Sequence, residues 1–394
     1  MTEFDCDVAV CGGGIAGLWA MHALQAKGFS PVLIERHSLG GVQTLAAQGI
    51  LHGGMKYVLD GKVDDIALRL REMPPRWLES MAGRGEVDLR GTRILSERQY
   101  LWSDGSILSK LSGAMGARML QGDVSALPEA EWPEGFRALG YRGGIRALEE
   151  TIIDVRSALV SLASPLRGRV FRAEEIKPQT QGDTITALEI SSSDGTSCRL
   201  RPRFVVSTAG TGNELFAGAL PFPQPATQRR PLRQIMVRGV PHSLFGHCII
   251  ADPKPRVTIT SHHLTDGTPV WYLGGQVAEK GWQMSVGESI RFAARELKSI
   301  FPKHDWSSYA YAAWDVDRAE PHQSVRFMPS EPTVSVVGNC ALAWPTKLVF
   351  APGLASKITE EVSARIPPLP APSLPLPPAE VGIYPWDQAK WQTL

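Results

Sequence analysis

The sequence predicts an α/β protein, α+β overall, in which an interrupted Rossmann-like domain is joined to an antiparallel β-sheet domain. Three observations predict it. Before residue 36 a strand, a G-x-G-x-x-G turn, a helix, a second strand and an acid follow one another in the order and spacing of a βαβ unit. A later apolar strand, Arg203 to Ser207, runs into Thr208-Ala209-Gly210 and suits a second close backbone approach to a bound nucleotide. Residues 228 to 276 then hold several longer strands, among them Gln234–Val237, Arg256–Thr260 and Val270–Leu273, which read as an antiparallel sheet.

Taken in order, Asp5 to Cys11 is a buried strand that leads into Gly12-Gly13-Gly14-Ile15-Ala16-Gly17 and a helix reaching Lys27. Gly12 permits a tight turn, Gly14 leaves space for a pyrophosphate, and Gly17 lets helix and strand pack closely. The helix start, with Ile15 and Ala16, offers free N–H groups and partial positive charge to phosphates. Pro31 to Ile34 is the second strand. Glu35 at its end can accept hydrogen bonds from ribose hydroxyls and repels a 2′-phosphate, so the adjacent Arg36 does not indicate a phosphorylated dinucleotide.

A Gly-rich stretch from Leu39 to Thr44 follows, and a helical pattern from Asp64 to Met81 is broken by Pro74-Pro75. Arg93–Leu95 is a short strand. Asp154 is the N-cap of a helix carrying Val155, Leu159 and Leu162 on one face. Gly168–Arg172 is a third parallel strand, and Asp194-Gly195 turns a hairpin between Ile185–Ile190 and Ser197–Leu200. Ser285 and Glu288 form a capping box before Ile290, Leu297 and Ile300. Val334 to Gly338 reads as a buried strand, and a helix with Leu354, Ile358 and Val362 on one face follows Pro352-Gly353. Pro367 to Pro378 is a polyproline-like tail lying over the body, with Trp386 and Trp391 as anchors. The pattern divides into a nucleotide-binding domain (1–83, 145–222 and 331–366), a substrate domain (84–144 and 223–330) and a tail (367–394).

Bulk properties exclude several classes. The 394 residues carry 41 basic and 40 acidic side chains, a formal charge of +1, with no basic run to support nucleic-acid binding. No apolar stretch is long enough to span a bilayer. The acidic N-terminus enters the first strand directly, and no signal peptide fits there. Five cysteines, none in a C-x-x-C pair, read as reduced thiols of a cytoplasmic protein rather than disulfides or a metal site. There is no G-x-S-x-G motif for a serine hydrolase.

The chain carries one dinucleotide fingerprint and no second one for a nicotinamide, and its last strand–turn–helix looks like a flavin site. As far as Arg365 it resembles the FAD-dependent oxidoreductases of the D-amino-acid oxidase and glycerol-3-phosphate dehydrogenase superfamily. Three segments carry the resemblance: the fingerprint with Glu35; Thr44 to Tyr57, including Gln48-Gly49-Ile50-Leu51-His52-Gly53-Gly54-Met55-Lys56-Tyr57; and Pro345 to Gly353. The resemblance implies FAD as cofactor. It places Gln43, Thr44, Gln48 and Gly49 beside the flavin, and Ala209 and Gly210 near the pyrophosphate. It puts Ile176 at the adenine, and Lys347, Leu348 and Gly353 at the pyrimidine edge. Two segments depart from relatives: Leu45–Gln48 replaces the Arg-rich or Ser/Thr-rich run of oxidase branches, and Trp344-Pro345-Thr346 replaces the glycine-rich approach of amine oxidases.

Flavin oxidation of a C–H bond beside O–H or N–H needs a proton acceptor and positive potential near the flavin N1 and O2. His52 is either that acceptor or a substrate contact, or a histidine bonded to its own glycine-rich turn. Lys56 reads as a contact to an acidic substrate group or as a surface lysine, and Tyr57 as pocket lining or packing. Arg318 either enters the site or pairs with Asp315, Asp317 or Glu320. Lys347 lies in a segment that approaches the flavin. His262 and His263, adjacent on a strand, point to opposite faces and make no metal pair. Trp271 and Tyr272 are pocket roof or core. The sequence therefore predicts an FAD-dependent dehydrogenase or oxidase acting on a small anionic hydroxy compound by hydride transfer to flavin N5. Its electron acceptor is left open among oxygen, a quinone and another redox protein. The alternatives are an amine or amino-acid oxidase on the same fold, and a flavin-binding accessory subunit without turnover of its own.

Overall fold

The structure, a computed structural model, describes residues 1–53, 65–103, 124–250, 252–322, 331–370 and 372–394, with the backbone alone described at 65–69, 124, 125 and 253. β1 (Thr2–Cys11), α1 (Ile15–Ala26) and β2 (Val32–Glu35) are the elements the fingerprint predicts. α2 (Asp65–Met81) follows, then β3 (Ile94–Ser96), β4 (Gln99–Ser103), β5 (Val124–Ala126), β6 (Ile145–Leu148) and β7 (Ile152–Ile153). α3 (Val155–Ala163) precedes β8 (Val170–Arg172), β9 (Glu175–Gln181), β10 (Thr184–Ser191) and β11 (Ser197–Ser207). The longer strands are β12 (Thr227–Arg238), β13 (Gly246–Ile250), β14 (Asp252–His263) and β15 (Pro269–Gly274). The chain ends with α4 (Val286–Ile300), β16 (Ala310–Pro321), β17 (Thr333–Val337), β18 (Cys340–Trp344), α5 (Ala351–Ser363) and β19 (Gln392–Thr393).

Two sheets organise these elements. The first has the order β17-β18-β11-β1-β2-β8, with the β9–β10 hairpin hung on β11. Its centre is parallel: β1 pairs with β2 and β11, β2 with β8, and β11 with β18. From Cys6 to Cys11 β1 is buried, because helices or strands cover both faces, as parallel sheets require. The second sheet runs β19-β16-β12-β15-β14-β13-β4-β6-β5 and is antiparallel except for the β13–β4 pair. β6, which begins at the expected boundary of 145, lies in this second sheet.

Local signals hold where they rest on caps and turns. Asp154 accepts from Ser157 N at 2.8 Å at the start of α3, and Ser285 and Glu288 cap α4 reciprocally. The Asp194-Gly195 turn joins β10 to β11 in antiparallel register. Two expectations are corrected. α2 runs through Pro74-Pro75 instead of breaking there. Leu70, Met73 and Trp77 are buried along one face, Trp77 Nε1 donates to Val349 O at 3.0 Å, and Arg76 ties the helix to Glu86 and Ser356. That tertiary packing outweighs an interior-proline cost of about 3 kcal/mol. Val334–Gly338 is not a buried strand but a half-buried edge one; the buried strand is β18, whose alanines give little β signal.

The tail lies over the body. Asp7, fully buried, accepts from Ser30 N at 2.7 Å and Leu369 N at 3.1 Å, and Leu374 and Leu376 are buried. Arg172 N donates to Pro377 O at 2.7 Å, so the tail covers the β8 edge. Trp386 is buried, with ring centroids 4.1 Å from Tyr384 and 4.2 Å from His262, and β19 adds to β16. His262 is thus core and His263 exposed, as their alternation on β14 requires. Trp271 and Tyr272 are core as well.

Burial pushes the His262 pKa down from 6.5 to about 3. Between those values the unfolded chain holds a proton that the fold excludes, so stability rises with pH. The neutral ring's contribution is lost as pH falls from 6.5 toward 3, by about 1.4 kcal/mol per pH unit. His262→Phe should flatten that part of the acid limb in urea unfolding measured across pH; parallel profiles for the two proteins would refute the assignment.

Candidate active site

A cavity of about 820 Å³ starts at the β1–α1 turn, passes between the two sheets and ends at the loop before α5. At its first end Gly12 has φ +110° and donates to Ile34 O at 2.9 Å. A Cβ there would lie 2.6 Å from Ala209 Cα, so the Thr208–Gly210 segment presses on the turn. Thr208 fixes it, with N donating to Cys11 O and Oγ1 to Gly12 O, both at 2.8 Å. A Cβ on Gly17 would lie 2.0 Å from Gly12 O, so this glycine serves helix packing and does not line the cavity. Gly14, Ile15 and Ala16 do line it, and Thr44 Oγ1 accepts from Ile15 N at 3.2 Å.

Glu35 reaches back to the turn, accepting from Gly13 N at 2.6 Å and His37 N at 3.0 Å. With Arg36 and Ile176 it walls the same end of the cavity. The middle is made by the segment from 40 to 52. Gln43 Oε1 accepts from Ala319 N at 3.2 Å, and Gln48 Nε2 donates to Tyr272 O at 3.1 Å, so two amides bind this segment to the second sheet. Gly49 has φ +75°, and a Cβ there would lie 2.2 Å from Ile153 O.

Beyond Gly49 the backbone delivers His52. Its Nδ1 is 3.3 Å from Glu150 Oε2, while Glu150 Oε1 accepts from Gly53 N at 2.7 Å and Gln99 Nε2 bonds to Glu150 Oε2. His247 lies parallel to His52, centroids 6.0 Å apart. His52, Glu150, Gln99 and His247 line the cavity, and Glu150 and Gln99 are buried.

Arg318 lines the cavity from β16. Glu279, which also meets Lys254 at 2.5 Å, comes within 4.0 Å of it, and the charge of Glu320, one of the three acids expected, acts on it too, although the direct ion pairs of those acids are Arg233 with Asp315, Arg229 with Asp317 and Arg230 with Glu320. Burial, reinforced by Arg230, lowers the Arg318 pKa. At the far end Thr346 has φ +60°, a left-handed conformation that costs a non-glycine residue about 1 kcal/mol or more. It presents Lys347 and Leu348 to the cavity. Lys347 begins a single 3₁₀ turn, Leu348–Phe350, that separates the cavity from α5. Gly353, inside α5, is therefore not on the wall; a Cβ there would meet Met73 Sδ at 3.2 Å. Lys56 and Tyr57 lie outside the described residues.

The structure thus brings His52, Arg318 and Lys347 to one cavity with Gly12, Gly14, Ile15, Ala16, Glu35, Arg36, Gln43, Thr44, Gln48, Gly49, Ile176, Ala209, Gly210 and Leu348. The sequence reading missed Glu150, Gln99 and His247. The available signal for Glu150 was an acid set between the apolar strands Ile145–Leu148 and Ile152–Ile153. Among the described residues no group of His, Cys, Asp and Glu could hold a metal ion, and the five cysteines are buried and form no disulfide.

An acid and bare glycines at one end, a volume within the roughly 300–1,000 Å³ of small-molecule sites and a lysine at the other end fit an extended dinucleotide such as FAD. Fold and site together define a flavin-dependent oxidoreductase. The comparisons agree. The model of the FAD dependent oxidoreductase family matches residues 7–355, and the chain belongs to that family. A probable FAD-dependent oxidoreductase of Pseudomonas aeruginosa is 36% identical over 388 residues, covering 96% of this chain and 98% of its own. The crystal structure of that Pseudomonas protein superposes with a TM-score of 0.81 over 98% of this chain and 99% of its own, at 34% identity. Two structures share the fold at lower identity. L-alpha-glycerophosphate oxidase from Mycoplasma pneumoniae, with FAD bound, has a TM-score of 0.64 at 14% identity, covering 94% and 98% of the two chains. L-amino acid deaminase from Proteus myxofaciens has 0.64 at 15%, covering 92% and 91%. The protein is therefore an FAD-dependent enzyme, using a small-molecule substrate and an electron acceptor.

Gly12→Ala tests the cradle. A side chain at φ +110° against Ala209 adds strain of about 1–3 kcal/mol, which should weaken FAD binding about 5- to 150-fold. The check is FAD titration of the apoprotein by flavin fluorescence; unchanged affinity would mean that the turn does not hold the cofactor.

Proposed function

We propose that the protein oxidises a small anionic hydroxy compound. The observation that carries this reading is His52 on the cavity wall with its Nδ1 engaged by a buried carboxylate, an arrangement suited to taking a hydroxyl proton. Arg318 and Lys347 on the same wall supply positive charge for an acidic substrate group and for charge that develops during reaction. The domain division proposed from sequence accompanies this reading, with β6 moved to the second sheet: segments 1–83, 145–222 beyond β6 and 331–366 hold FAD, and 84–144 and 223–330 face the substrate.

Gly12, Gly14, Ile15 and Ala16 would hold the pyrophosphate, Glu35 the ribose, and Gln48, Gly49 and Lys347 the flavin end. When bound, FAD supplies the acceptor for the hydride of the substrate C–H bond. His52 takes the hydroxyl proton as the carbonyl forms. Arg318 orients the substrate through its acidic group, and Glu279 balances the guanidinium charge. The two low-identity structural relatives are named for a glycerophosphate and an amino acid, so the fold is compatible with either substrate class. The reading as a hydroxy compound rests on the paired histidine, placed to take a hydroxyl proton.

His52→Gln should leave FAD bound and slow substrate-driven flavin reduction about 10²- to 10⁴-fold in anaerobic stopped flow. The screen is a panel of small hydroxy acids and hydroxy phosphates alongside amino acids. Ammonia or an amine product would defeat the reading. Lys347→Met should slow reduction on the order of a hundredfold with FAD retained; unchanged reduction kinetics would remove Lys347 from the mechanism.

A further inference from the structure

We infer that Glu150 is a positioning residue that fixes the tautomer of His52, with Gln99 holding Glu150 in place. The inference builds on the reading of His52 as proton acceptor. A neutral imidazole has one N–H and one lone pair, and the partner of the first nitrogen decides which is which. Glu150, which accepts from Gly53 N and Gln99 Nε2, presents a carboxylate oxygen as acceptor to Nδ1 at 3.3 Å. Nδ1 therefore carries the hydrogen and Nε2 keeps the lone pair. Proton transfer to Nε2 makes an imidazolium whose Nδ1–H stays on Glu150, so the new positive charge forms beside a fixed negative one.

The carboxylate is itself immobilised. Gly53 N binds Oε1, while Gln99 Nε2 and His52 Nδ1 share Oε2. Gly53 is the residue after His52, so a single carboxylate holds both the ring and the backbone that carries it. Gln99 is 1% exposed, and its Oε1 is a buried acceptor with no hydrogen-bond partner among the described residues. An amide whose second atom is left unsatisfied stabilises the fold poorly. Its placement makes sense as an orienting contact for Glu150. In Ser-His-Asp enzymes, replacing the tautomer-setting carboxylate with an amide costs about 10⁴ in turnover, which shows how much such a contact can control.

The test is the nitrogen spectrum of the FAD-loaded enzyme labelled with ¹⁵N-histidine, with the His52 signals assigned by their loss in His52→Gln. The wild type should show His52 with Nδ1 protonated and Nε2 unprotonated when neutral. Glu150→Ala should lose that signature and shift the ring toward the Nε2–H form while the flavin spectrum is retained. If Glu150→Ala does not fold, Glu150→Gln, which leaves one acceptor oxygen for three donors, should show a mixed tautomer. A wild-type ring protonated on Nε2, or a signature unchanged in a folded Glu150 variant, overturns the inference. No substrate is used, so a failed hydroxy-compound reading leaves this result standing, and a failed tautomer result leaves the substrate question open.

Discussion

The contact between the Gly12 turn and the Thr208–Gly210 segment is the constraint on which the rest of the site depends. β1 lies between β2 and β11, and all three end at the same edge of the sheet. The chain must turn from β1 into α1 beneath the backbone leaving β11. Only a residue without Cβ fits there, and Thr208 bonds the two segments together from both its amide and its hydroxyl. The helix start, Glu35 and Thr44 are all placed relative to that crossing. In an open α/β sheet the crevice at the carboxyl ends of the strands is where ligands bind.

The second sheet makes the cleft into an active site. Gln43 and Gln48 bond segment 40–52 to β16 and β15, so its position is shared by the two sheets. His52 follows directly, and its carboxylate partner comes from the end of β6. The cofactor cradle and the proton acceptor we propose, His52, are therefore positioned by one continuous stretch of chain. The tail reinforces the same region, because Leu39 N donates to Glu380 O at 2.8 Å and Gly382 N donates to Leu39 O at 3.0 Å. Arg156 and Tyr384 fasten the tail to the start of α3.

Sequence reading succeeded where short-range chemistry decides the outcome. The fingerprint, the Asp154 cap, the Ser285–Glu288 box and the Asp194-Gly195 hairpin each depend on residues a few positions apart. It failed where distant packing decides. Pro74-Pro75 are tolerated because α2 is anchored on both sides of them, and β18 is a strand because it fills the slot beside β11. Gly353 lies inside α5 and packs on Met73, because a 3₁₀ turn, invisible in composition, comes between it and the cavity.

The sequence by itself determined the nucleotide-binding βαβ unit, the cofactor class and the presence of an antiparallel partner sheet. Those follow from glycine positions, an acid in register and the alternation of apolar residues, all of which act locally. The tertiary structure alone decided that His52 meets Glu150, 98 positions away, and that Glu279, which is not on β16, comes within 4.0 Å of Arg318. A side chain's partner is set by which strands lie side by side and in what register, and no spacing along the chain encodes that.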